Sequence, residues 1–370
     1  MKLNAIHIKL LFCLALLVSA CGLGSCSHGA DEPPYPDGAT YVNFRIVVPI
    51  NPEARSASRA ADGTWGGDYD KDPGDGIDSK IENLTLVVTN TDCNTEVDRI
   101  SDFEITGPLV TPDYSIYYIF KEIDAATAQK LKSSGDTKVH VYTNMGTGLS
   151  MTGNTSPNFT NRWGSANSVG SIPMWGVQKV NFSGMKEGET FYIPGEIWLL
   201  RAMAKVEITI AKSGANSITR LTSASVTNVR NRGYLLPAKW KTYNDTRDIK
   251  FDETINAYTG NRNWITNSNF TPETMGEDAG KKIVFYIPET TGSDSSRRPY
   301  ITLNYTDGVN NWTNYIYFAE YDAAGQNPVS YNDIVRNHLY HFEVRRDRVL
   351  TVNYTVCPWN IYNVDVPPFD

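Results

Sequence analysis

The chain is poor in the residues on which most catalytic chemistry rests. Its 370 residues include 5 cysteines and 5 histidines, so thiol nucleophiles, imidazole bases and soft metal ligands are scarce before any motif is sought. No G-x-S-x-G, H-E-x-x-H, P-loop or G-x-G-x-x-G pattern occurs, and no Cys–His spacing suggests a nucleophile with its base. The expectation is a non-enzyme with no cofactor and no metal site. Basic charge is short too: 34 Lys and Arg stand against 41 Asp and Glu, a net charge of -7. Without clustered cations for phosphate, nucleic acid is not an expected partner. The apolar run from Leu10 to Val18 is too short to span a bilayer as a helix.

What the chain has instead is turn formers and aromatics. With 28 Gly, 19 Pro, 21 Tyr and 13 Phe, the composition favours strands joined by turns, and the length suits two domains.

At the N-terminus, Lys2 and Lys9 precede the apolar run, and Ser19-Ala20-Cys21 and Gly24-Ser25-Cys26 follow it. This is the layout of a secretory signal, and small residues directly before a cysteine look like the lipobox of a bacterial lipoprotein. Cys26 is the expected lipidation site, with Cys21 as the alternative, because the polar, Pro-rich stretch from Ser27 follows Cys26 at once. Residues 1–25 then read as signal and 26–39 as a tether. Cys93 and Cys357 would remain, far apart in sequence, as small buried hydrophobes rather than a disulfide framework.

From Val42 the set Val42, Phe44, Ile46, Val48 and Ile50 alternates with Tyr41, Asn43, Arg45, Val47 and Pro49, the period of a strand with one buried face. Similar runs follow at Leu84 to Thr89, Tyr114 to Phe120, Lys138 to Thr143, Val206 to Ile210, Lys282 to Pro288, Tyr300 to Tyr305 and Asn314 to Ala319. One helix is expected at Asp124 to Ser134, with Asp124 as N-cap, Leu131 inward and Gly135 as the stop. No internal repeat is visible. A turn at Pro194-Gly195 suggests a boundary, giving sandwich domains at 40–195 and 196–370.

Several short motifs, in this order, resemble the fimbrillins of Bacteroidetes, which form FimA-type (type V) pili. They are the lipobox, a first strand followed by an Arg-bearing loop, Ile172-Pro173-Met174-Trp175-Gly176, Leu200-Arg201-Ala202-Met203-Ala204-Lys205-Val206, and Arg336-Asn337-His338-Leu339-Tyr340 before a terminal strand. The resemblance implies two tandem transthyretin-like β-sandwiches. It also implies a precursor carried to the outer membrane as a lipoprotein, and a trypsin-like protease that cuts after an arginine beyond the first strand. Arg59, followed by Ala60, is the expected cut, with Arg55 and Ser56 as the alternative, both in a small-residue loop open to a protease.

Loss of Val42 to Ile50, taken as an edge strand, would bare apolar side chains and backbone N–H and C=O groups, a state that must be refilled. Leu350, Val352, Tyr354 and Val356 have the matching alternation and are the candidate donor, with Trp359, Ile361, Val364 and Val366 a possible second strand. The residues alone equally allow Leu350 to Val356 to be the last strand of its own domain. Head-to-tail donation does not close, so a filament results. The expected partners are other subunits, the outer membrane, the protease and a surface receptor, with the polymer extracellular and adhesive. A tip or anchor subunit, or a glycan-binding surface lipoprotein that never polymerises, are the alternatives.

Other constellations are weaker. Asp68, Asp70, Asp72, Asp75 and Asp78 resemble a calcium loop, but Pro73 and Ser79 replace the needed Gly and Glu. His338 and His341 lie three apart in a strand-like run, which points them oppositely. The 8 Trp and the tyrosines suit strands and core more than a sugar platform.

Overall fold

Stretches with period two become strands, and the first of them, Thr40–Pro49, buries not only the expected face but also Tyr41, Val47 and Pro49 on the other, leaving Asn43 half-buried and Arg45 exposed. The computed structural model describes residues 38–49, 58–59, 65–66, 79–111, 114–145, 158–160, 171–211, 218–230, 232–237, 264–265, 268–270, 280–290, 292, 298–346 and 349–358. The first half contains β1 (Thr40–Pro49), β2 (Leu84–Asn90), β3 (Glu96–Ile100), β4 (Glu104–Val110), β5 (Tyr114–Ile123), helix α1 (Ala125–Ser134), β6 (Asp136–Thr143), β7 (Met174–Asn181), β8 (Thr190–Trp198) and β9 (Leu200–Arg201). Two sheets, β8-β1-β5-β4 and β9-β7-β6-β2-β3, face each other across a core that includes Phe44, Ile46, Leu86, Ile119, Val141 and Ile197. Gly176 allows β8 to cross from one sheet to β9 in the other, since a Cβ there would lie 2.5 Å from the Trp198 carbonyl oxygen. Helix α1 starts where expected: the Asp124 carboxylate accepts the Thr127 N–H at 2.7 Å, which holds its pKa below the usual range. Leu131 is fully buried and Gly135 ends the helix at φ 63°.

The second half contains β10 (Met203–Ile210), β11 (Arg220–Thr227), β12 (Ser268–Phe270), β13 (Lys282–Pro288), β14 (Tyr300–Thr306), β15 (Asn311–Tyr317), a hairpin of β16 (Ala319–Tyr321) and β17 (Pro328–Tyr331), β18 (His338–Arg346) and β19 (Leu350–Pro358). Its sheets are β13-β10-β18-β19 and β12-β11-β14-β15, around Val206, Ile208, Leu221, Phe285, Leu303 and Phe342. The protein is thus all-β, with one short helix among the described residues.

The two halves follow the same path. In each, the first strand pairs antiparallel with a middle strand and parallel with a late one: β1 with β5 and β8, β10 with β13 and β18. The opposite sheets also match, β3-β2-β6-β7 against β12-β11-β14-β15. No repeat is visible in the sequence because a sandwich constrains the alternation of apolar side chains, not their identities. One difference matters below. β18 carries β19 on its far side, whereas its counterpart β8 is the last strand of its sheet.

Strand β8 runs across the expected boundary at 195/196 and pairs with β1, and β9 pairs with β7, so the chain passes between sandwiches at Ala202. The sandwiches share a third apolar cluster, in which Val87, Tyr142, Trp175 and Val177 join Met203, Leu236, Val284 and Tyr286. Beside it, buried Arg336 grips Glu289 with two bonds of 2.9 Å and donates to the Leu235 carbonyl at 2.6 Å. A bidentate, charge-assisted pair of this kind fixes geometry more than it adds stability.

His140 lies fully buried on β6, stacked on Tyr142 and Trp175. The Trp175 indole N–H donates to its Nδ1 at 3.3 Å, so the ring's own proton sits on Nε2, 3.6 Å from Cys93 Sγ and 3.4 Å from Thr89 Oγ1. Burial pushes His140 down to about 3, with the nearby Lys138 charge adding to the effect. His341 is held at about 4, again mainly by burial. Both rings stay neutral in the fold while an unfolded chain protonates them near pH 6.5. The unfolded state therefore binds more protons below that pH, and stability falls as pH drops from about 6.5 towards 4. The urea midpoint is expected to be lower at pH 5 than at pH 7, with a smaller difference in His140→Gln whatever that variant's own stability.

Candidate functional site

The strand singled out by its alternation, β1, is the most completely held element of the first sandwich. Val42, Phe44, Ile46 and Val48 are at most 2% exposed and belong to the core, with the Phe44 ring edge-on to Phe103 at 5.7 Å. At about 1.5–3 kcal/mol per large apolar side chain, these four contribute on the order of 6–12 kcal/mol of burial. Ile50 lies outside the described residues. On the other face, the Tyr41 hydroxyl donates to Glu122 at 3.4 Å and Arg45 meets Glu196 at 3.6 Å. Arg45 is well exposed, so that ion pair adds little.

The expectation of an edge strand is overturned by the pairing. β1 lies inside its sheet, antiparallel to β5 over ten residue pairs from Thr40↔Ile123 to Pro49↔Tyr114, and parallel to β8 on its other side. Sequence periodicity reports which face of a strand is buried and carries no information on how many neighbours it has. The ladder to β8 is interrupted between Asn43↔Tyr192 and Arg45↔Glu196. There Pro194, with no N–H to give, and Gly195, at φ 78°, bulge outward. The Pro194 carbonyl is taken instead by the Gln178 side chain.

Both ends of β1 are fastened as well. Gly188 N–H donates to Thr40 Oγ1 at 2.9 Å and Leu199 N–H to the Val47 carbonyl at 2.9 Å. The Arg201 guanidinium, fully buried on β9, donates to the Pro49 carbonyl at 2.5 Å. Withdrawing the strand would leave a slot with two bare ladders, those of β5 and β8, over an apolar floor.

The chain that leaves β1 returns close to where it left. Pro49 stands opposite Tyr114, and Ser79 bonds to two β5 residues nearby: its carbonyl accepts from the Tyr117 hydroxyl at 2.8 Å, and its hydroxyl from Ser115 at 3.2 Å. The segment between them carries the expected cuts. Arg59 belongs to a two-residue pairing of Ser58–Arg59 with Trp65–Gly66. Ala60, Arg55 and Ser56 lie outside the described residues, as do Cys21, Cys26, the aspartates from 68 to 78, and the tail from Trp359 on.

The candidate donor is a strand, and it is at home in the second sandwich. β19 is the end strand of its sheet and pairs with β18 over nine residue pairs, His338↔Pro358 to Arg346↔Leu350. Leu350, Val352, Tyr354 and Val356 all pack on that domain's core, with Tyr354 4.9 Å from the Phe342 ring. They share one face at the same two-residue spacing as Val42, Phe44, Ile46 and Val48. The Val352 N–H also reaches the Gly325 carbonyl at 2.8 Å, in the turn of the β16–β17 hairpin.

Elsewhere, three described histidines have defined partners. The Cys93–His140 contact, invisible in sequence because 47 positions separate the two, presents Nε2–H to sulfur, the wrong tautomer for a base. A ring held neutral to about pH 3 cannot stabilise a thiolate. His338 and His341 on β18 have separate partners, the Arg336 carbonyl and Thr209 Oγ1. No group of three metal-ligating side chains occurs among the described residues.

No protein-family model matches the chain, and no curated protein matches its sequence. Solved structures resemble it at low similarity. The tip fimbrial protein Mfa3 from Porphyromonas gingivalis, with a C-terminal truncation, is 12% identical, with 88% of this chain and 100% of that chain covered and a TM-score of 0.44. A fimbrial assembly protein from Parabacteroides distasonis is 11% identical, with coverage of 85% and 94% and a TM-score of 0.41. The fimbrial anchor protein Mfa2 from Porphyromonas gingivalis is 10% identical, with coverage of 87% and 97% and a TM-score of 0.33. These values describe a similar course of the chain and nothing finer.

The burial of β1 sets an expected contrast in the uncleaved protein. Phe44→Ala should lower stability by about 3–5 kcal/mol, while Arg45→Ala should change it by less than about 1 kcal/mol, both read from urea denaturation.

Proposed function

We propose that the chain is the precursor of a fimbrial subunit: exported as a lipoprotein acylated at Cys26 or Cys21, held at the outer membrane, matured by a trypsin-like protease and polymerised by strand exchange into an extracellular, adhesive fimbrium. The observation that carries this reading is the position of β1 between β5 and β8, with a segment after it whose two ends meet on β5. A cut after Arg59 or Arg55 separates β1 from the rest of its domain without unfastening either end of that segment. What then holds β1 is non-covalent, and its departure exposes a slot that water cannot satisfy.

A replacement strand must offer four apolar side chains at alternate positions and a backbone free on both sides. Leu350, Val352, Tyr354 and Val356 of another copy meet the first requirement. The second requires β19 to leave β18, so exchange trades one ladder for two: a strand with one full-length neighbour in its own domain gains two in the slot. Repeated head-to-tail, the exchange builds a filament. Other subunits are therefore the principal partners, and the chain has no catalytic role of its own. A tip or anchor position is the second reading. It is favoured by the nine-pair ladder that keeps β19 on β18, because a subunit at the end of a fibre can retain that strand.

N-terminal sequencing of the surface-assembled form is expected to begin at Ala60, or at Ser56. Polymer that still contains Thr40–Pro49 at its N-terminus sinks the processing step. Trypsin-treated protein should form a detergent-resistant ladder, and a synthetic peptide of residues 350–370 should block it while a scrambled peptide does not. A ladder indifferent to the peptide assigns the donor elsewhere.

A further inference from the structure

The outer face of the sheet β12-β11-β14-β15 carries tyrosines that its core does not use. Ile301, Leu303 and Ile316 point into the sandwich, so the alternate positions Tyr300, Thr302, Asn304, Thr313, Tyr315 and Tyr317 point away from it. Ring contacts run without a break across this face: Tyr315 to Tyr300 at 5.7 Å, Tyr300 to Tyr317 at 5.8 Å, and Tyr317 to Tyr331 at 5.7 Å. Tyr315 is 62% exposed. Beside the rings, at Thr302 opposite Tyr315 and at the next pair on this face, Asn304 and Thr313, stand hydroxyl and amide groups. Thr313 Oγ1 donates to Asn304 Oδ1 at 2.7 Å, and Asn304 Nδ2 to Ser223 at 3.0 Å.

The row ends in a cation. The Arg298 guanidinium lies 3.8 Å from the centroid of the Tyr331 ring, and its Nε is buried with no hydrogen-bond partner. Arg45, Arg99 and Arg336 each face a glutamate, whereas no carboxylate pairs with Arg298 among the described residues. In a chain of net charge -7, a guanidinium over a tyrosine ring with no carboxylate partner among the described residues is a place where an anion is drawn.

We propose that this face is a binding site for carbohydrate that carries a carboxylate. Sugar rings present C–H faces that stack on tyrosine, and their hydroxyls suit a row of Thr, Asn and Ser. A uronic or similar acid group matches the planar fork of Arg298. The same stacking-plus-cation chemistry serves single-stranded nucleic acid, but one cation in an acidic protein does not provide the backbone neutralisation that such binding needs. None of these residues belongs to β1 or β19, and a chain that never polymerises would still carry the site.

Calorimetric titration of the uncleaved protein with tetragalacturonic acid, its methyl ester and a short single-stranded oligonucleotide tests the assignment. The acid is expected to bind, weakening with added salt, and the ester to bind about tenfold less tightly, the loss of a charge-assisted hydrogen bond. Arg298→Gln should remove the preference for acid over ester, and Tyr315→Ala should weaken both. Tyr192→Ala, at an exposed tyrosine of the other sandwich, should change neither. Absence of binding at millimolar acid overturns the proposal, as does affinity unchanged in both the Arg298 and Tyr315 variants, or an oligonucleotide bound more tightly than either sugar.

Discussion

Backbone pairing on both sides of β1 is the constraint around which the first sandwich is organised. An edge strand can be lost at the expense of one ladder, and its neighbour then becomes the edge. An interior strand cannot: its loss divides a sheet in two, and β8 has β1 as its one ladder partner in that sheet. The second sandwich has the same arrangement around β10, yet its first strand cannot be separated in this way. Only Ala202 lies between β9 and β10, so β10 stays covalently fixed where the chain enters the domain. Under the proposed cleavage, the long segment after β1 would let the first copy of a shared design be separated, while the single residue before β10 would keep the second in place.

The junction between the sandwiches is tied to that strand. Arg201, whose guanidinium holds the Pro49 carbonyl, is followed directly by Ala202 and Met203 of the interdomain cluster. The far end of the same junction is set by Arg336 and Glu289, which reach Leu235. The C-terminal end of β1 thus rests against groups that also position the second sandwich.

Much of the fold was legible because alternation is a direct record of burial. Val42 to Val48, Leu350 to Val356 and Tyr300 to Thr306 show it, whereas strands such as Asp136–Thr143 and Lys282–Pro288 bury residues on both faces; Asp124 and Gly135 mark the helix by cap chemistry alone. Strands β3, β4, β7, β8, β9, β11, β12 and the β16–β17 hairpin were not expected; in β3 and β4, Glu96 to Ile100 and Gly107-Pro108 within Glu104 to Val110 lack a clean apolar face. The interior place of β1 was hidden because neighbour number leaves no trace in periodicity. The duplicated topology was hidden because equivalent positions share only their apolar character. The Cys93–His140–Trp175 contact and the Arg298–Tyr331 stack join residues that meet only through the sheet, so spacing along the chain could not indicate them. The expectations at Arg55, Arg59, Cys21 and Cys26 rest on local motifs alone, and of these only Arg59 falls among the described residues.

The mixed ladder of β1 has one more consequence. Parallel and antiparallel pairing space their hydrogen bonds differently, so a strand seated between β8 and β5 fits in one direction of travel. Reversing it would ask β8 for an antiparallel pattern and β5 for a parallel one. The apolar residues Leu350, Val352, Tyr354 and Val356 are evenly spaced and would tolerate either direction. Orientation is therefore set by the backbone and not by the side chains, and whatever occupies this position inherits an arrow: successive occupants must all point the same way.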